Sequence, residues 1–275
     1  MRRALAFLLL ISALAACSRG PAPLAVVANA PGTFEVGQPQ RLLVGLVDSE
    51  TAAFLASPDL ETTGVLIAPD STEREVSTEF LWTVPDRVGI YLIRDTFDQE
   101  GTWWVKLRPQ GMTESMQASF IVGNDDPMPG IGDPAVSIET RTTAEHELSE
   151  ISSDPDPDPS FYELSLDQAL TNGQPTVVVF ASPAFCTSQT CGPMLDQVEA
   201  VANEHPGVNY LHVEIYENLD AESFEDLRIS EAVSAWGLPS EPWVFVMDSQ
   251  GKVTSRFEGA LGEGEIEEAL ANVGA

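Results

Sequence analysis

Lysine is almost missing from this chain. Only Lys106 and Lys252 occur, and 13 Lys plus Arg stand against 43 Asp plus Glu, a formal net charge of -30. A surface this acidic repels nucleic acid and has no electrostatic hold on anionic lipid, which excludes a nucleic-acid partner. The acidic residues read as a solvated surface. Cysteine and histidine are scarce as well, at three each. Neither occurs between Leu24 and Gly123, so a metal there would need methionine or carboxylate ligands, and the stretch shows no cluster of them. The apolar run Ala4–Ala13 is too short to span a bilayer.

What is present is enough for two modest domains: 275 residues, 43% of them hydrophobic. Met1-Arg2-Arg3, the apolar run and the small residues after it form an export signal. Its ending, Leu14-Ala15-Ala16-Cys17, resembles the lipobox of bacterial lipoproteins. The resemblance implies that residues 1–17 are a lipoprotein signal peptide and lipobox, that Cys17 is the lipidated first residue of the mature protein, and that the protein sits on a membrane facing the extracytoplasmic side. The competing reading is an ordinary signal with a chance cysteine. With Cys17 taken by lipid, Cys186 and Cys191 remain in a compartment where disulfides persist, and their spacing suggests that they pair.

Residues 24–123 are β-like. Candidate strands are Leu24–Ala28, Thr33–Val36, Arg41–Val47, Gly64–Ala68, Val76–Trp82, Ile90–Asp95, Thr102–Leu107 and Met116–Val122, separated by turns such as Pro31-Gly32, Pro69-Asp70 and Gln110-Gly111. Short strands at this spacing predict an all-β sandwich. Tyr91 and the run Phe97 to Val105 resemble the late strands of immunoglobulin-like modules, at the level of fold only. Trp103 and Trp104 point to opposite faces of one strand, so one is expected in the core and the other at the surface. Residues 124–160 read as a linker, rich in proline and aspartate and ending in Asp154-Pro155-Asp156-Pro157-Asp158-Pro159. Proline stiffness and charge repulsion predict an extended arm that holds the second domain away from the first.

From Phe161 the pattern is α/β. A short helix over Leu164–Thr171 precedes a buried strand at Val177–Phe180 and a helix over Pro193–His205. Then come a strand at Val208–Tyr216, a helix over Glu222–Trp236, a hairpin of Trp243–Met247 with Lys252–Glu258, and a last helix over Gly264–Val273. That order, with these joints, resembles the thioredoxin fold over residues 161–275. The marks are the Val177–Phe180 strand running to Cys186, Cys191-Gly192-Pro193 at the next helix, Trp236-Gly237-Leu238, Glu241-Pro242-Trp243 where thioredoxins carry a cis-proline, and the hairpin ending Phe257 to Leu261.

Two departures bear on function. Thioredoxins have two residues between their cysteines, and here Thr187 to Thr190 make four. Two registers compete. Counting from the strand makes Cys186 the attacking cysteine. Reading Cys-Gly-Pro makes it Cys191, with Met194 in the resolving position. The distance from Phe180 favours the first. Were 186–191 regular helix, the Cα atoms would be roughly 8–9 Å apart, beyond the ~7 Å that a disulfide tolerates. Pro193 at the first helical position with Gly192 as cap leaves 187–190 as a loop free to bring the sulfurs together. The second departure is that Val177, Val178 and Val179 occupy the region where thioredoxins bury a carboxylate.

The resemblance implies a thiol–disulfide oxidoreductase with Cys186, Cys191 and Pro242 as its catalytic residues, and Glu241 and Trp236 at the substrate-binding surface. It needs no cofactor and no metal, and its partners are the thiols and disulfides of exported proteins. The first alternative is copper transfer by the same two cysteines as in thioredoxin-fold copper chaperones, with His212 the one histidine on a core strand. The second is a non-catalytic binding lipoprotein in which the cysteines form a structural bridge. A bridge across so short a loop gains little chain entropy, which lowers that reading.

Overall fold

The computed structural model describes residues 23–124 and 126–275, so Cys17 and the lipobox lie outside it. The N-terminal region is β-rich. One sheet has the order β1 (Pro23–Val27), β3 (Pro39–Asp48), β7 (Val88–Thr96), β6 (Glu79–Val84), all antiparallel. The other runs β2 (Phe34–Glu35), β9 (Met116–Gly123), β8 (Gly101–Pro109), β4 (Thr62–Ile67), β5 (Glu73–Val76), antiparallel except for the β2–β9 pair. Alternating residues of both sheets meet in one core: Leu42, Val44, Tyr91 and Ile93 from the first face Leu66, Trp103, Val105 and Phe120 from the second. Trp103 is fully buried and Trp104 is 39% exposed, as their alternation on one strand requires. The single strand expected at Val76–Trp82 is two, β5 and β6, lying in different sheets.

The C-terminal region is mixed α/β. Its sheet has the order β11 (Asn209–Glu214), β10 (Thr176–Ala181), β12 (Trp243–Met247), β13 (Val253–Glu258). β10 is parallel to β11 and antiparallel to β12, which pairs in turn with β13. β10 is buried along its whole length because both faces of the sheet are covered. Val177 and Val179 pack under α3 (Cys191–Ala202) and α5 (Glu265–Val273), through Leu195, Val198, Ile266 and Leu270. Val178 and Phe180 pack on the other side against α2 (Leu166–Ala169) and α4 (Glu231–Trp236). This two-sided burial is why the strand reads as an unbroken apolar run. The helix expected over Glu222–Trp236 is only its last part. Ser230 caps α4 by accepting from the Val233 N–H, and a 3-10 turn at Phe224–Asp226 occupies the earlier stretch.

The connection between the regions is not an extended arm. Gly132 and Ala135 donate to the carbonyls of Val253 and Gly251, and Val253 donates back to Asp133. Met128, Ala135, Val136 and Ile138 pack into the core on one side of the sheet, and Leu148 and Ile151, around the single-turn helix α1 (Leu148–Ile151), into that on the other. The two regions also touch. Leu43, Leu81, Ile90 and Leu92, on the outer face of the first N-terminal sheet, form a cluster with Ala260.

Candidate functional site

β10 delivers the chain at its C-terminal end into the turn Ser182 to Phe185, where Phe185 donates to the Ser182 carbonyl at 3.0 Å. Cys186 follows. Thr187 to Thr190 are a loop, bent back by Gln189 in the left-handed region at φ 61°. Its N–H reaches the Cys186 carbonyl at 3.2 Å. The loop sets the Cα atoms of Cys186 and Cys191 6.1 Å apart, and the two residues form a disulfide. The helix starts earlier than the Gly-Pro pair suggests. Thr190 is the N-cap, Cys191 is the first helical residue, and Pro193 falls third. An N–H in the first turn of a helix has no helical partner, so proline, which lacks one, loses no hydrogen bond there.

The two sulfurs are not equivalent. Cys186 is 9% exposed and Cys191 0%. Ser188 Oγ lies 3.2 Å from the Cys186 sulfur and 2.8 Å from Thr190 Oγ1. The Ser188 hydroxyl can donate to a thiolate on Cys186, and Thr190 is its neighbour in turn. Cys191 is the first residue of the 12-residue helix. Met194 is buried in the core beneath the helix and takes no part in the pair.

Glu241 comes from the opposite side. It precedes Pro242 through a cis peptide bond at the start of β12. Its carboxylate and both cysteine sulfurs lie within 4.8 Å of one another. One carboxylate oxygen, Oε2, is buried without a hydrogen-bond partner. Burial, with Glu214 nearby, pushes Glu241 up to about 7. Glu214 ends β11 directly beside Ala181 of β10. Its Oε2 accepts from the Ser153 N–H at 2.7 Å, and its Oε1 is buried without a partner. Ser182 Oγ at the end of β10 is buried and unpartnered too. An apolar rim borders the site: Phe185 packs edge-on against Tyr216, which packs against Phe224, 55% exposed.

The C-terminal region is distantly similar to a thio-disulfide isomerase. The solved structure of that protein, from Thermus thermophilus, matches 45% of this chain and 97% of its own at 25% identity, with a TM-score of 0.31. The native conformation of alpha-2-macroglobulin from E. coli matches 90% of this chain at 13% identity and a TM-score of 0.28, but this chain spans only 12% of that one. At scores this low neither likeness assigns chemistry to the chain. No protein-family model matches the sequence, and no curated protein matches it.

Of the residues singled out in the sequence, Cys186, Cys191 and Glu241 come together, Pro242 follows Glu241 through the cis bond, and Trp236 and His212 lie elsewhere. Trp236 is fully buried, packed on Phe180 and Phe245, and its indole N–H donates to the Val136 carbonyl at 3.1 Å. It pins the connecting segment and cannot meet a substrate. His212 is also interior. Nε2 is 3.1 Å from the Ala181 carbonyl, which can only accept, and Nδ1 is 2.6 Å from the Tyr162 hydroxyl. Both nitrogens are engaged, and His212 does not join the cysteine–Glu241 group. The copper reading loses its third donor. With the sulfurs bonded to each other, that group offers a carboxyl oxygen and no thiolate. Glu214, Ser188 and Thr190 had not been singled out. An acid closing the apolar pattern of β11 was a usable signal for Glu214, whereas the hydroxyls depend on a loop shape that spacing alone does not give.

Proposed function

We propose that this protein is an extracytoplasmic thiol–disulfide oxidoreductase, anchored to a membrane by lipid on Cys17, that acts on the disulfides of exported proteins through Cys186 and Cys191. The observation that carries the reading is the unequal pair: a disulfide just beyond a buried strand, between Cys186, 9% exposed, and Cys191, closed in at a helix start. The sheet order and strand directions support a thioredoxin-like domain after the connecting segment. The two facing sheets before it support an immunoglobulin-like sandwich.

In the reducing direction a thiolate on Cys186 attacks one sulfur of a partner disulfide. The Cys186–partner bond forms, the partner S–S bond breaks, and the other partner sulfur leaves with the electron pair. Cys191 then attacks Cys186, closing the internal disulfide and releasing the second partner sulfur. Two electrons pass to the partner and the protein is oxidised. The reverse sequence oxidises a partner dithiol.

The test is a trap. Reduced Cys191→Ser protein incubated with insulin should accumulate a mixed disulfide at Cys186, reversible by dithiothreitol, while Cys186→Ser should give none. If neither wild type nor Cys191→Ser reacts with a disulfide while both remain folded, the pair is structural. Anchoring is read separately, by membrane fractionation of wild type against Cys17→Ala.

A further inference from the structure

β10 places no carboxylate beneath the sulfurs, since after Thr176 it runs Val177-Val178-Val179-Phe180-Ala181. Exchange still needs a proton acceptor. Cys191 is completely buried and must lose a proton before it can attack, or gain one after it is displaced. Among the described residues the carboxylate that meets both sulfurs is Glu241, within 4.8 Å, with one oxygen buried and unpartnered.

The groups that act on it are acidic or neutral. Burial raises it first and Glu214 of β11 second, and Tyr216, beyond the end of that strand, is raised by its own burial and then by Glu241 and Glu214. No cation is among the groups shifting Glu241. Burial together with a second carboxylate brings it to about 7, where one acid can both take and return a proton near neutral pH.

On the reading of the pair as an exchange site, we propose that Glu241 is the proton carrier for Cys191, replacing from the cis-proline side the acid that β10 lacks. When Cys191 attacks, its S–H proton passes to the Glu241 carboxylate as the Cys191–Cys186 bond forms and the Cys186–partner bond breaks. The electron pair leaves on the partner sulfur. When a partner thiolate opens the internal disulfide at Cys186, Cys191 departs with the electron pair and takes the proton back from the Glu241 carboxyl.

Two measurements test this. In Cys186→Ser protein, the titration of the Cys191 thiol followed by thiolate absorbance should move by at least about one pH unit when Glu241→Gln is added, because coupled groups titrate as a pair. In single turnover with glutathione disulfide, Glu241→Gln should form the mixed disulfide within about threefold of the wild-type rate. It should resolve that disulfide ten- to a hundredfold more slowly near pH 7, the lower range of what a positioned acid–base group supplies. The wild-type inflection near 7 in the resolving step should be lost, and Glu241→Asp should restore part of the rate. Resolution in Glu241→Gln at the wild-type rate and pH profile overturns the role of Glu241 alone. Failure of wild type to form any mixed disulfide overturns the exchange reading itself.

Discussion

Arg41 of β3 grips Glu265 at the first turn of α5 with two parallel hydrogen bonds, Nε to Oε1 at 2.9 Å and Nη2 to Oε2 at 2.6 Å. The residues are 224 positions apart and join the two regions of the chain. Arg94 of β7 adds a second cation at 2.7 Å, and the Gly262 N–H donates to Glu265 at 2.6 Å. Beside them Glu258 accepts from the Ala30 N–H, the Asn29 amide and the Ser240 hydroxyl. Burial by itself would raise the Glu265 carboxyl, but Arg41, the Gly262 N–H and Arg94 overcome it and hold the group below its usual value of 4.5.

Such a pair, with side chains 13% and 6% exposed, is costly to break from one side. Arg41→Met leaves Glu265 with Arg94 and the Gly262 N–H, so the expected loss is measurable but smaller than the about 3–5 kcal/mol of a fully orphaned buried charge. Urea denaturation followed by tryptophan fluorescence should show the wild type unfolding in one transition and Arg41→Met in two, as the regions uncouple. Because the folded-state value of Glu265 is depressed, its stabilisation is present above about 4.5 and is lost as pH falls through the depressed value. A variant that still unfolds in one transition at an unchanged midpoint would show that the other contacts, among them Glu258 with Asn29 and Ala30 and the apolar cluster at Ala260, join the regions without Arg41.

The strands and helices around the site were legible because burial leaves a period. β12 falls on Trp243–Met247, its expected bounds, and β10 within a residue of its own, since both are continuous apolar runs. The connecting segment was misread for a physical reason. Asp154 to Pro159 do have the composition of a stiff, self-repelling chain, and that composition hid the apolar residues spaced between the prolines. Met128, Val136, Ile138 and Ile151 each bury against the α/β sheet, and the Ser153 N–H reaches Glu214 in the site. Irregular segments bury single residues without a period, so no pattern marks them. Likewise, the place of Glu241 beside both sulfurs depends on the chain path through Pro242 and on the loop at 187–190, neither of which is a periodic signal.

Gly237 shows how closely that segment is held. Its φ is +67°, and a Cβ there would lie 2.7 Å from the Pro127 carbonyl oxygen, a backbone atom that cannot swing away. Gly237→Ala should therefore cost the roughly 1–2 kcal/mol of a left-handed alanine and a further amount for the displaced segment. Gly173→Ala is the control, since Gly173 has φ +84° and nothing within 4 Å of a new Cβ. Thermal unfolding should place Gly237→Ala clearly below Gly173→Ala. Equal losses would mean that Pro127 and its neighbours yield freely and that the segment does not brace α4.

Glu241 and Glu199 give the folded protein an unusual pH response. Burial pushes both up to about 7, Glu241 with help from Glu214, and Glu199 with help from Asp154, Asp158 and Asp196 where the aspartate–proline run lies near α3. In the unfolded chain each returns to about 4.5. Between about 4.5 and 7 the folded state binds protons that the unfolded state has released, so stability falls as pH rises across that window and levels off above it. Glu241→Gln removes one of the two contributions, because the amide stays neutral at every pH. The difference in melting temperature between Glu241→Gln and wild type should therefore grow more favourable to the variant from about pH 5 to about pH 8. Glu199→Gln should show the same trend, and the double variant the sum, since the two carboxyls draw on different acidic neighbours. A difference for Glu241→Gln that does not change with pH would mean that its carboxyl is already ionised in the folded protein at pH 5, and the acid beside Cys191 would then be a fixed charge with no proton to give.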